Sequence, residues 1–323
     1  METTHTHEMQ LLVNSVHAKY QSLSEGEVAT YIPELSKANP DDFGVCLATS
    51  DGRAFAAGDC DRPFTIQSIS KPFTFGMAID ELGQEKVLQY VGVEPSGDAF
   101  NSIELQGGNN RPFNPMVNAG AITVAALLQA QHGKHAVSHL LDRFSTFAGR
   151  PLTIDQAVYE SERRTGHRNR AIVHLLMNFG IVHDDAEAAL DLYFQQCSIL
   201  ITTRDLALMA ATLSNMGIHP VTGKPAMNLP SVKDVLSVMF TCGMYDYSGQ
   251  WAYRVGVPAK SGVAGGVMAV VNRQLGIATY SPRLDRFGNS RRGVEVCADL
   301  ASQLGLHVFD CLNVGSGFLN TML

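Results

Sequence analysis

Ser68 stands three residues before Lys71 in the segment TIQSISKPF, residues 65–73. On a helix, positions i and i+3 share a face, so the Ser68 hydroxyl and the Lys71 amine can converge as a nucleophile with its own base. An exposed lysine is no base, because its pKa is about 10.4. Burial lowers it, since desolvation disfavours the charged form. Pro72 is tolerated only near the first helical turn. The free N–H groups and positive dipole end there favour an alkoxide-like serine and a neutral lysine. Ser70 also neighbours Lys71, but on a helix it faces about 160° away from Ser68, which leaves Ser68 as the candidate. The motif alone decides nothing. With 22 serines and 8 lysines, chance supplies about half a match, and a capping serine before a surface lysine is the plain alternative.

Two further segments carry more weight. Lys260-Ser261-Gly262, in VPAKSGVAGG, falls on a predicted strand, and Asn118, in NPMVNAGAI, immediately precedes an apolar helix. S-x-x-K, then an asparagine-bearing turn, then K-[ST]-G on a strand is the layout of the penicillin-recognising serine enzymes. The third element lines the cleft beside the nucleophile, where its backbone N–H can meet a developing oxyanion. The combination predicts a serine hydrolase that works through an acyl-enzyme.

The elements that must position these residues are legible as well. FGVCLATSDGRAFAAGD reads as a hairpin around Asp51-Gly52, a dipeptide suited to a type I′ turn. YRVGVPAKSGVAGGVMAVVNRQLGIATYSP reads as short strands broken by Gly-Gly and turning at Asn272-Arg273. Between them, apolar residues recur at helical spacing over 119–131, 154–165, 169–180, 185–200, 202–217 and 229–244, with a last helix over 289–305. Thr202 or Thr203 can cap one of these helices and Asn289 or Ser290 the last. Gly180, Gly217 and Gly305 stop three. The first 15 or so residues are polar and read as loosely held.

Composition bounds the rest. Hydrophobic residues make up 45% and charged residues 17% of the 323 positions, as in an ordinary globular chain. A net charge of −7 argues against nucleic acid or anionic membrane as partners. The longest apolar runs are too short to span a bilayer, and METTHTHEMQ has no basic start leading into an apolar stretch, so a cytoplasmic protein is expected. The six cysteines lack a C-x-x-C pair and read as reduced, mostly buried thiols. His132, His135 and His139 could share a helix face, but Gly133 interrupts it and no carboxylate accompanies them, so no metal is expected.

The segments YIPELS, IQSISKPF, NPMVNAGAI, YESERRTGHRNRAI, LDLYFQQCSIL, CGMYDYSG and PAKSGVAGG resemble, in order, the signatures of the bacterial serine-dependent glutaminases. The resemblance runs from about residue 10 to the C-terminus. It implies an α/β (α+β) fold of β-lactamase/DD-peptidase type: an antiparallel sheet from both chain ends, flanked by helices, with an inserted all-helical subdomain. A single catalytic unit over 1–323 is expected, residues 18–66 and 250–323 holding the sheet and 67–249 the helical part. The implied reaction is hydrolysis of L-glutamine to glutamate and ammonia through a γ-glutamyl-serine, without cofactor or metal.

The resemblance further implies Ser68 as nucleophile, Lys71 as base, and Tyr31 and Tyr245 beside them. Asn118, Glu162, Asn169, Tyr193, Tyr245 and Val263 would contact substrate, and the N–H groups of Val263 and Ser68 would form the oxyanion hole. Glutamine asks for such a set: a carboxylate for its ammonium and neutral donors for its carboxylate, so that analogues lacking either leave polar groups unpaired. Taken singly, Glu162 reads as a solvated partner of its arginine neighbours, Asn118 and Asn169 as helix caps, and the tyrosines as core aromatics. A related amidase or esterase, a β-lactam-processing enzyme and a silent glutamine-binding protein are the competing readings. A homodimer or homotetramer is expected by resemblance.

Overall fold

The computed structural model describes residues 2–97, 103–183 and 185–310. In chain order the elements are α1 (Glu2–Tyr20), β1 (Gly44–Thr49), β2 (Ala54–Gly58), β3 (Phe64–Thr65), α2 (Ser70–Leu82), α3 (Gln84–Tyr90), α4 (Asn118–His132), α5 (Ala136–Ala148) and β4 (Thr153–Ile154). They continue with α6 (Gln156–Thr165), α7 (His167–Asn178), α8 (Ala186–Cys197), β5 (Ile199–Ile201), α9 (Thr203–Ser214), α10 (Leu229–Cys242) and α11 (Ser248–Arg254). The chain closes with β6 (Ala259–Ser261), β7 (Gly266–Val271), β8 (Leu275–Tyr280) and α12 (Arg291–Leu304).

Both chain ends build one antiparallel sheet of order β2-β1-β8-β7-β6, joined at its centre where Cys46 faces Ala278. The alternation of side chains along a strand assigns its two faces. Val45, Leu47, Val267, Ala269 and Ile277 pack with Val13 and Val16 of α1, Trp251 of α11 and Val294 and Leu300 of α12. Cys46, Ala48, Met268, Val270 and Ala278 face the helical block instead. There α9 lies directly on β8, β1 and β7. It lies close because Gly276 has no side chain: a Cβ would stand 2.4 Å from the Ala211 nitrogen.

A second ribbon, β3-β5-β4, ties residues 64–65, 199–201 and 153–154 together. Its importance is local, since β3 leads straight into Ser68. The Ile66 N–H also donates to the Ile199 carbonyl at 2.9 Å, which fixes the approach to Ser68.

Several expectations need correction. The first residues are helical: α1 buries the stripe Val13 and Val16, and His17 stacks on Phe43 with ring centroids 4.5 Å apart. The stripe is narrow and its N-terminal half polar, which hid it. The β1–β2 connection is a three-residue loop rather than a type I′ pair. Gly52 N–H donates to the Thr49 carbonyl at 2.9 Å, and only Gly52 (φ +90°) takes positive φ, at the bulge that follows the turn. The helix expected over 185–200 ends at Cys197, where the chain turns into β5. Thr202 caps α9 with a reciprocal Asp205 contact, and Ser290 rather than Asn289 caps α12. The five described cysteines are buried and free; Cys311 lies outside the described residues.

Candidate active site

Ser68 lies in a short 3₁₀ turn, Gln67–Ile69, just ahead of α2, so it precedes the helix rather than starting it. Gln67 enters that turn at φ +50°, a conformation that costs a non-glycine residue about 1–3 kcal/mol and marks a constrained site. The turn packs against β6 and β7. Ser70 is committed elsewhere: its hydroxyl donates to the Gln67 carbonyl at 2.7 Å and accepts from Gln196 at 3.1 Å.

Lys71, the second residue of α2, is buried. Its Nζ donates to Asn118 Oδ1 at 2.7 Å and to the Met116 carbonyl at 3.1 Å. Burial lowers its pKa from 10.5 to about 8, with Cys197 and Glu162 opposing the fall. Asn118 opens α4 but caps nothing. Its Oδ1 also accepts from the Tyr193 hydroxyl at 3.3 Å, while its Nδ2 donates to Asn169 Oδ1 at 3.0 Å. One asparagine thus joins α2, α7 and α8 around the lysine.

The facing wall comes from the C-terminal strands. Tyr245, held at φ +59°, donates its hydroxyl proton to the Ser261 carbonyl at 2.9 Å. Its side chain also shares a hydrogen bond with Ser68. A phenol has one proton, so toward Ser68 the Tyr245 oxygen accepts. Burial raises the Tyr245 pKa. Lys260 Nζ sits 4.1 Å from the Tyr245 ring centroid and donates to the Ser261 carbonyl at 2.8 Å. Burial first, and then the Lys71 charge, hold its pKa well below the usual lysine value. Val263 is buried in the β6–β7 loop, which abuts the nucleophile turn. A Cβ on Gly262 would meet the Ile66 carbonyl at 3.0 Å.

Glu162 on α6 is buried, and its Oε2 has no hydrogen-bond partner. Burial raises its pKa from 4.5 to about 8, with Lys71 pulling the other way. The reading as a surface ion pair fails: Arg163 approaches Glu160 instead, at 3.9 Å. Tyr31 is 55% exposed as a whole residue, yet its hydroxyl feels the Glu162 and Tyr245 groups. Burial of that hydroxyl, then the Glu162 and Tyr245 charges, push its pKa well above 10.0. The structure therefore brings Ser68, Lys71, Tyr31, Tyr245, Asn118, Glu162, Asn169, Tyr193 and Val263 around one place. One participant escaped sequence reasoning. The Cys197 thiol hydrogen-bonds with Tyr193 and Ser70 and feels Glu162 and Lys71. Its spacing of four from Tyr193 on α8 was the available signal.

Residues 26–309 match the model of the glutaminase family. The chain belongs to the glutaminase family. A glutaminase of Trichormus variabilis is 54% identical over 306 residues, covering 95% of this chain and 92% of its own. Among solved structures, the probable glutaminase ybaS superposes with a TM-score of 0.91 at 39% identity, over 94% of this chain and 98% of that one. A probable glutaminase from Bacillus subtilis, complexed with 6-diazo-5-oxo-L-norleucine, gives 0.85 at 35% identity, over 93% and 96%. The fold is thus the β-lactamase-like fold of the glutaminases, and the protein is an amidohydrolase whose reaction is the hydrolysis of glutamine. No helix among the described residues is long and apolar enough to cross a membrane.

Away from this site, Glu81 accepts from His132 and His139. The expectation that no carboxylate accompanies these histidines is therefore wrong. Glu81 comes from α2, 51 positions away from His132, where sequence spacing could not reveal it.

Proposed function

We propose that glutamine is hydrolysed through a γ-glutamyl ester on Ser68, with Lys71 as the base. The observation that carries this reading is the setting of Lys71. It is buried, its pKa is lowered to about 8, and it has two acceptors, Asn118 Oδ1 and the Met116 carbonyl. A neutral amine has two N–H bonds and one lone pair. The two acceptors use both bonds and leave the lone pair for the Ser68 proton.

Ser68 Oγ attacks the side-chain amide carbon as its proton passes to Lys71. The oxyanion rests on the N–H groups of Ser68 and Val263. The C–N bond breaks as Lys71 returns its proton to the departing ammonia, directly or through the Tyr245 hydroxyl, which hands on its own proton and takes up that of Lys71. Water, deprotonated by Lys71, then adds to the ester and releases glutamate, returning the proton to Ser68. Glu162 receives the substrate ammonium, for which its unpartnered Oε2 is suited. Asn118, Asn169, Tyr193 and Tyr31 complete the substrate's polar shell. No cofactor enters these steps.

The test is glutamate release from L-glutamine by wild type and Ser68→Ala, together with the mass of each protein after 6-diazo-5-oxo-L-norleucine. Loss of turnover by at least about 10⁴-fold, and loss of the covalent adduct at residue 68, are expected. Turnover or labelling that survives Ser68→Ala refutes the serine mechanism. A cytoplasmic location is also proposed, on the acidic charge and the buried free thiols, and a homodimer or homotetramer on the likeness to the glutaminases. Light scattering of the purified chain reads the assembly directly.

A further inference from the structure

Glu81, His132 and His139 come from three helices: the last turn of α2, the last residue of α4 and the first turn of α5. His132 Nε2 lies 2.7 Å from Glu81 Oε2, and His139 Nε2 lies 2.7 Å from Glu81 Oε1. The two imidazoles stack with centroids 4.0 Å apart and planes 27° from parallel. The three ligand atoms all fall within 4.8 Å of one another. We propose that this group is a binding site for a divalent transition-metal ion of borderline softness, zinc(II) foremost, tying the far end of α2 to the junction of α4 and α5.

The donor set points to the ion. Two imidazole nitrogens and one carboxylate suit zinc and its neighbours, whereas calcium and magnesium take oxygen ligands. Zinc–ligand bonds of about 2.0–2.2 Å need donors roughly 3.3 Å apart. Small rotations about the side-chain bonds reach that from the present spread.

The break at Gly133 is what assembles the pair. On a continuous helix, residues seven apart are separated by about 10.5 Å along the axis, too far for stacked rings. Here α4 stops at His132, a 3₁₀ turn spans Gly133–His135 with Gly133 at φ +52°, and α5 restarts at Ala136. His135, inside the turn, takes no part in the cluster.

Charge and access agree. The adjacent Asp80 is already paired with Arg143 at 3.0 Å, so with neutral histidines Glu81 offers one uncompensated negative charge. The His132, His139 and Glu81 side chains are 22%, 32% and 19% exposed, which lets an ion enter and water fill its remaining positions. Glu81 lies ten residues along α2 from Lys71, about 15 Å at 1.5 Å per residue. The site is structural and separate from the catalytic one.

The experiment titrates zinc chloride into the full chain after chelator treatment, by calorimetry, beside Glu81→Gln, His132→Gln/His139→Gln and His135→Gln. One equivalent should bind to wild type and to His135→Gln. Affinity should fall at least about tenfold in the other two, and zinc should raise Tm only in the proteins that bind it. Glu81→Gln keeps side-chain size and can still hydrogen-bond, so it separates lost ligation from lost folding. Cobalt(II) added to the unsubstituted chain gives a check that needs no variant: a visible absorption band that zinc abolishes. No binding by wild type, binding undiminished in Glu81→Gln, or loss of the site in His135→Gln each overturns the proposal.

Discussion

Glu162→Gln is expected to make the substrate-free protein more stable while crippling its turnover. Burial raises the Glu162 pKa from 4.5 to about 8. The folded protein therefore holds a proton between those values that the unfolded chain has released. Stability falls as pH climbs through this window, and the cost is complete above pH 8. At about 1.4 kcal/mol per tenfold, the full cost is roughly 5 kcal/mol; local relaxation reduces it to an expected 2–5 kcal/mol. An amide does not titrate and escapes the cost. The Tm of the variant should match wild type near pH 4.5 and exceed it by about 3–8 °C at pH 8. The same change removes the partner of the substrate ammonium. Breaking a buried charge pair costs about 3–5 kcal/mol, or roughly 200–5,000-fold in kcat/KM. Scanning fluorimetry at both pH values and initial rates of glutamate release read the two effects. A folded variant no more stable than wild type at pH 8, or a loss in kcat/KM below about tenfold, would refute the reasoning.

Four further outcomes follow from the same geometry. Because Lys71 must be neutral to accept the Ser68 proton and titrates at about 8, kcat/KM should rise through that pH. Lys71→Arg, which cannot deprotonate, should lose about 10²–10⁴-fold in initial rate. Ser70→Ala should retain kcat within about tenfold and the adduct at residue 68, while losing the Gln196 hydrogen bond and about 1 kcal/mol of stability in denaturant titration. Gly276→Ala should destabilise by about 1–3 kcal/mol or more, because its Cβ would stand 2.4 Å from the Ala211 nitrogen; chemical denaturation measures this.

Sequence reading recovered what local chemistry writes in one stretch. The hairpins and the Thr202 cap each depend on residues a few positions apart. It failed where structure depends on distant partners. The β3, β4 and β5 strands have two or three residues each, too few to show a period, and exist only because they meet. The α4–α5 break looked like a weak helix until Glu81 arrived from another element. Glu162 beside two arginines reads as a surface charge until α6 is packed inward. The nine candidate site residues were named by resemblance more than by physics, since only Ser68 and Lys71 carry a spacing that chemistry explains unaided. Cys197 offered only its spacing of four from Tyr193.

Several unfavourable features of this molecule lie together at the proposed site. Gln67 and Tyr245 take left-handed backbone conformations beside Ser68. Lys71, Lys260 and Glu162 are ionisable groups buried within one small volume. Any of these would relax if the neighbouring backbone could move. It cannot move easily, because Ile66 and Ile69 on either side of Ser68 are fully buried. Gly266 admits Ile69 so closely that a Cβ there would lie 2.7 Å from it. The glycines of the β6–β7 loop therefore do more than allow a turn. They let the sheet press against the 3₁₀ turn, and that contact holds Ser68 near a lysine short of its usual charge and a tyrosine whose proton is directed to the Ser261 carbonyl.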